Sequence, residues 1–187
     1  MNRSDFAGPD GFDGGAAAPV RSVLKLDEAI LLLVRRWHLP SVARLARLFT
    51  RVGDASTWTF ASLVLIASGG VATRYGWLMG YSALLATAVV QVLKRVCRRQ
   101  RPSTRITGFT ALAENPDAFS FPSGHTTVAF AVAFALAGQG NWLGSLHLGL
   151  ACAIGMSRVY LGAHYPLDVG VGACIGSLAG MAIRFLI

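Results

Sequence analysis

The chain has 187 residues, of which 53% are apolar, and its 17 Lys and Arg against 9 Asp and Glu give a net charge of +8. Only 14% of residues are charged and the mean hydropathy is +0.52, which leaves too little polar surface to cover a water-soluble globule. Disorder over most of the chain is excluded by its hydrophobicity, and a disulfide-stapled scaffold by cysteines that are few and odd in number, 3 in all.

Residues 1–25 open with a stretch rich in Gly, Ala, Asp and Pro and read as a flexible tail, without the apolar segment of a signal peptide. Residues 26–51 form an amphipathic segment. Val42, Leu45 and Leu48 recur at helical spacing, while Arg44, Arg47 and Arg51 take another face. Such a helix suits the headgroup region of a bilayer, and an ordinary surface helix packed on a bundle is the plainer alternative.

Residues 52–187 carry the transmembrane spans. Ala55–Thr73 and Tyr75–Leu93 are each 19 uncharged residues, close to the roughly 20 that cross a hydrocarbon core. Ala118–Ser157 runs for 40 residues without Asp, Glu, Lys or Arg, and Gly138-Gln139-Gly140-Asn141 divides it into a helical hairpin. His164–Ile187 is apolar apart from Asp168 and Arg184. The expectation is an all-α integral membrane bundle of about five transmembrane helices with an N-terminal amphipathic interfacial helix, forming one domain over residues 26–187. Gly172, Gly176 and Gly180 stand one turn apart in the last span, a close-packing signal.

Charged groups at membrane depth need a reason, and three clusters stand at span ends. Lys94-x6-Arg101-Pro102 closes the second span, Pro122-Ser123-Gly124-His125 opens the third, and Ser157-Arg158-x5-His164-x3-Asp168 joins the fourth to the fifth. Consecutive spans alternate in direction, so all three meet at one membrane face. Lys94, Arg101 and Arg158 can cradle a phosphate dianion. Ser123 and Gly124 precede a helix, whose free N–H groups attract anions. His164 and Asp168, four residues apart, make a carboxylate-oriented imidazole able to attack, and His125 can protonate a leaving alkoxide.

These three motifs resemble those of the type 2 phosphatidic acid phosphatase family, matching every specified position over about residues 50–187. The resemblance implies a phosphohistidine on His164 oriented by Asp168, with His125 as the acid. It assigns Lys94, Arg101, Ser123, Gly124 and Arg158 to the phosphoryl group. It also implies no metal and no other cofactor, a lipid or polyprenyl phosphate substrate, and an integral protein of a bacterial cytoplasmic membrane. A lipid phosphotransferase, a vanadate-dependent haloperoxidase and a non-catalytic lipid-binding membrane protein are the rival readings, and the oligomeric state is left open.

The basic surplus points to membrane surfaces and phosphorylated substrates rather than nucleic acid, because most of these arginines flank apolar spans. Eight basic residues up to Arg51, six from Lys94 to Arg105, and Arg158 fall on the motif side, leaving Arg74 and Arg184 opposite. The positive-inside rule then puts the site in the cytoplasm, against the outer-face site that the resemblance implies for many bacterial relatives. Arg95, Arg98, Arg99 and Arg105 read as topology and headgroup contacts, Glu114 and Asp117 as solvated loop acids, and His38 and His147 as structural.

Overall fold

The computed structural model describes residues 18–113, 117–137 and 142–187. Among them are eight helices and no strand. The helices are α1 (Ala18–Arg36), α2 (Pro40–Val52), α3 (Ala55–Ala67), α4 (Gly70–Cys97), the single turn α5 (Pro102–Arg105), α6 (Gly124–Ala137), α7 (Leu143–Tyr160) and α8 (Pro166–Leu186). The all-α class expected from the sequence is what the chain adopts.

Helix α1 begins inside the segment 1–25 that the sequence reads as a tail. Residues 1–17 lie outside the described residues, but Ala18–Lys25 are the first turns of α1. Pro19 sits in that first turn, where its missing N–H is harmless. Leu24, Asp27 and Leu31 then fall on one buried face, so packing extends the helix back through residues whose composition alone suggested coil. In α2 the two readings of the amphipathic segment combine. Ala43 and Ala46 are buried on the side that packs against α7, while Val42, Leu45 and Leu48 remain exposed alongside the arginines.

The spans differ from expectation in length. α4 and α8 are long and apolar enough to cross a membrane. α3 stops at Ala67 rather than Thr73, because Gly69 and Gly70 take φ angles of 75° and 59°, left-handed values that glycine adopts without steric cost. α4 starts at once from Gly70 and absorbs the rest of that segment. α3 and α6 have 13 and 14 residues, giving each about 20 Å at 1.5 Å per residue. The break expected at Gly138–Asn141 lies outside the described residues, and the flanking α6 and α7 pack on each other.

α6 is the central helix, in contact with α4, α7 and α8, and Ala131, Val132 and Ala135 on it are fully enclosed. Its closest partner is α8. A Cβ placed on Gly176 would fall onto the carbonyl oxygen of Thr127, and one on Gly180 onto that of Ala131. The three glycines therefore do what their spacing signals: they let two backbones touch where lipid supplies no hydrophobic drive between helices. Phe60, Leu84, Met156, Leu178 and Phe185 point outward and exposed, a surface suited to hydrocarbon.

Candidate active site

Each motif lies where a helix starts or stops. α4 ends because Arg98 takes a left-handed φ of 46°, its N–H closing on the Lys94 carbonyl at 3.1 Å. This is a helix-terminating turn of the kind usually given to glycine. Lys94 is thereby held on the last turn of α4, and Arg101 stands in extended conformation immediately before Pro102 of α5. Gly124 and His125 open α6, and Arg158 lies in the last turn of α7. Six residues after Arg158, the loop delivers His164 just ahead of α8. Asp168 stands in the first turn of α8, where its Oδ2 accepts the N–H of Tyr165 at 3.0 Å and caps the helix.

One cavity of about 130 Å³ gathers Lys94, Arg101, Gly124, His125, Arg158 and His164. Lys94, Arg101 and Arg158 are buried around it. The imidazole of His164 is enclosed, its Nε2 3.4 Å from Arg101 Nη1 and its Nδ1 3.6 Å from Asp168 Oδ2. The second distance is within easy Coulomb reach and long for a hydrogen bond, and Nδ1 makes no hydrogen bond. Asp168 thus backs the ring from outside the cavity. Ser123 does not reach the cavity either. Its N–H donates to the Asp168 carbonyl at 3.0 Å and its Oγ lies 2.9 Å from Thr126 Oγ1, so Gly124 is the residue of that pair that faces the opening.

Acids beyond the motifs complete the surroundings. Asp117, expected as a solvated loop acid, instead pairs with Lys94, and its carbonyl accepts Arg101 Nε at 2.7 Å. Glu114 lies outside the described residues. Asp54, just ahead of α3, places Oδ1 at 2.8 Å from His125 Nε2. Arg99, expected at the headgroups, is buried and paired to two carboxylates, Asp27 and Asp168, whereas Arg95 and Arg98 are exposed. His38 stacks on Tyr160 and His147 tilts against Trp58, both away from the cavity.

The electrostatics follow from burial and sign. Burial pushes the His164 imidazole from 6.5 down to about 3, with Arg101 and Arg158 adding to the effect and Asp168 opposing it. Enclosure among cations therefore keeps that ring neutral at ordinary pH. Burial also disfavours ionisation of Asp117, but its hydrogen bond to Lys94 and the nearby positive charge outweigh this and hold its carboxyl below 3.8. Burial lowers Arg101, with Asp117 and Asp168 opposing, and a guanidinium stays charged regardless.

A second, apolar cavity of about 430 Å³ runs between α3 and α4, walled by Trp58, Leu63, Ile66, Trp77 and Leu84. It shares the wall residues Ala55, Thr87 and Val128 with the first, so the two cavities adjoin.

A cationic, histidine-bearing cavity at the end of an apolar helical bundle is the architecture of a membrane enzyme for phosphate esters. The chain belongs to the PAP2 superfamily, whose family model matches residues 75–186. It is 38% identical over 128 residues to a decaprenylphosphoryl-5-phosphoribose phosphatase of Mycobacterium tuberculosis, covering 65% of this chain and 68% of that one. Aquifex aeolicus LpxE superposes with a TM-score of 0.73 at 26% identity over 83% of this chain and 92% of its own. The transmembrane PAP2-type phosphatidylglycerolphosphate phosphatase of Bacillus subtilis shares the fold, with a TM-score of 0.75 at 24% identity over 94% of this chain and 89% of its own. This chain is accordingly an integral membrane protein and a phosphoric ester hydrolase of the PAP2 kind.

Proposed function

We propose that the chain hydrolyses the phosphate ester or diphosphate of a lipid or polyprenyl alcohol, without metal, through a phosphohistidine on His164. The observation that carries this reading is that the apolar cavity adjoins the cationic one at Ala55, Thr87 and Val128. A phosphoryl group held among Lys94, Arg101 and Arg158 can leave its hydrocarbon chain in the groove between α3 and α4. The decaprenyl and glycerolipid substrates in the names of the relatives are of this amphiphilic kind. Residues 26–187 act as one unit, since helices α1 and α2 pack on the same bundle that holds the motifs.

In this mechanism His164 Nε2 forms a bond to phosphorus as the bond to the alcohol oxygen breaks, and His125 gives that oxygen a proton. Asp168 offsets the positive charge growing on the ring. The cations and the Gly124 N–H gather the phosphoryl oxygens, where charge develops, while Ser123 braces Gly124 through its bonds to Asp168 and Thr126. Water then attacks phosphorus and yields a proton to His125. The P–N bond breaks, inorganic phosphate leaves and His164 is restored.

The test is phosphate release by the full-length protein in detergent with EDTA present, on long- and short-chain phosphatidate, phosphatidylglycerol phosphate and a polyprenyl diphosphate. The expected result is EDTA-resistant release, with a clear preference for long chains that fill the groove. Release that EDTA abolishes, or that ignores chain length, counts against the proposal. Phosphate appearing on an added alcohol would favour the phosphotransferase.

The 15-to-2 basic asymmetry further supports a cytoplasmic active site in a bacterial inner membrane, by the positive-inside rule. A reporter fused at Ile187 is then expected outside the cytoplasm, and its recovery on the cytoplasmic side overturns that orientation.

A further inference from the structure

Asp27 is a carboxylate on the wrong face of its helix. It lies between Leu24 and Leu31 on the buried side of α1, with only 4% of its surface exposed. A charge so placed is costly unless both oxygens are satisfied. Asp27 Oδ2 accepts Arg99 Nη2 at 2.6 Å, and its Oδ1 accepts the N–H of Leu167 at 2.7 Å, so one carboxylate from α1 binds the first turn of α8. Arg99 spends its other fork nitrogen on Asp168, Nη1 to Oδ1 at 2.6 Å, and its guanidinium covers the Tyr165 ring, 4.0 Å from the centroid.

We propose that Asp27 and Arg99 are positioning residues: helix α1, acting through Arg99, fixes the carboxylate that orients His164. The proposal rests on the roles given above to His164 and Asp168. Asp168 has Oδ1 bound by Arg99 and Oδ2 bound by the Tyr165 N–H, so its plane is set independently of His164. Arg99 alone would also cancel the charge on Asp168 and weaken its pull on the imidazolium that forms as phosphorus is attacked. Asp27 restores that charge, leaving the Asp27–Arg99–Asp168 group at −1, the same as a lone carboxylate. Neither residue belongs to the specified motif positions, and Asp27 precedes the part of the chain that the family model matches.

The test uses the full-length protein in detergent with dioctanoyl phosphatidate as the probe, comparing wild type, Asp27→Asn, Arg99→Lys and His164→Ala. Asn keeps the shape of Asp27 without its charge. Lys keeps the charge of Arg99 but cannot bridge two carboxylates with a planar fork. For both, kcat is expected to fall about tenfold to hundredfold, as when outer partners of a functional histidine are lost. KM should stay within about twofold, because substrate binding is untouched. The unfolding temperature is expected to fall, because each variant weakens a buried ion pair, so kcat is taken per folded enzyme. If Asp27→Asn unfolds, Arg99→Lys carries the decision. Wild-type kcat in either folded variant, a loss confined to KM, or a loss that only follows the folded fraction overturns the proposal. An active His164→Ala brings down the functional reading and this proposal together. An inactive His164→Ala beside fully active Asp27→Asn and Arg99→Lys removes the positioning role alone.

Discussion

Replacing His164 with alanine is expected to abolish turnover, with a loss on the order of 10⁴- to 10⁶-fold in kcat, the scale seen when a nucleophile is deleted from a covalent mechanism. Water cannot substitute for it, because the enclosed imidazole is held against the phosphate cradle with Nε2 facing Arg101 at 3.4 Å. Burial keeps that ring neutral, its pKa pushed to about 3, so the imidazole needs no separate base to deprotonate it in the usual assay range. The bundle should survive the change: His164 lies in a loop between α7 and α8, and the packing of α6 on α8 through Gly176 and Gly180 is remote from its ring. Asp168→Asn should be less damaging, since it removes charge and orientation but leaves the attacking atom. Phosphate release and trapping of labelled phosphoenzyme, with unfolding temperature alongside, make the measurement. Undiminished turnover in a folded His164→Ala variant would refute the nucleophile.

Residue patterns carried the fold class and gathered the three clusters at one face, because both depend on local features: apolar run length, helix-end residues and the alternation of spans. The GxxxG spacing likewise gave the tight seam of α8, since small residues at one-turn spacing act through geometry on a single helix. Partners far apart in sequence were not legible. Arg99 looked like one more arginine beside the membrane, and only the turn at Arg98 directs it inward to Asp27, 72 positions away. Nothing in the loop of Asp117 betrays its partner Lys94, 23 residues upstream. Leu24, Asp27 and Leu31 share a helical face, and an acid on an apolar stripe needs a buried cation. Ser123 shows the converse limit, for a motif identifies residues that belong together without saying which of them faces the cavity.

Removing the imidazole of His125 is expected to produce a loss that depends on the leaving group. An alkyl alcohol departs as a strongly basic alkoxide and needs a proton in the transition state, a service typically worth about 10²- to 10⁴-fold. Nitrophenolate departs comfortably without one. His125→Ala should therefore lower kcat by about that range on a lipid phosphomonoester, yet far less on nitrophenyl phosphate, provided formation of the phosphoenzyme limits the rate. Asp54 bears on the same step. Its carboxylate meets His125 Nε2 at 2.8 Å and is 46% exposed, which connects the half-buried ring to water and offers a route for restoring its proton between turnovers. Asp54→Asn should accordingly share the leaving-group dependence of His125→Ala at smaller amplitude. The comparison of two substrates separates proton donation from phosphate binding. Loss of a group that only binds the phosphoryl oxygens, as Lys94 does in this mechanism, would slow both esters alike, and equal losses on both substrates in His125→Ala would move that histidine from acid to anion binder.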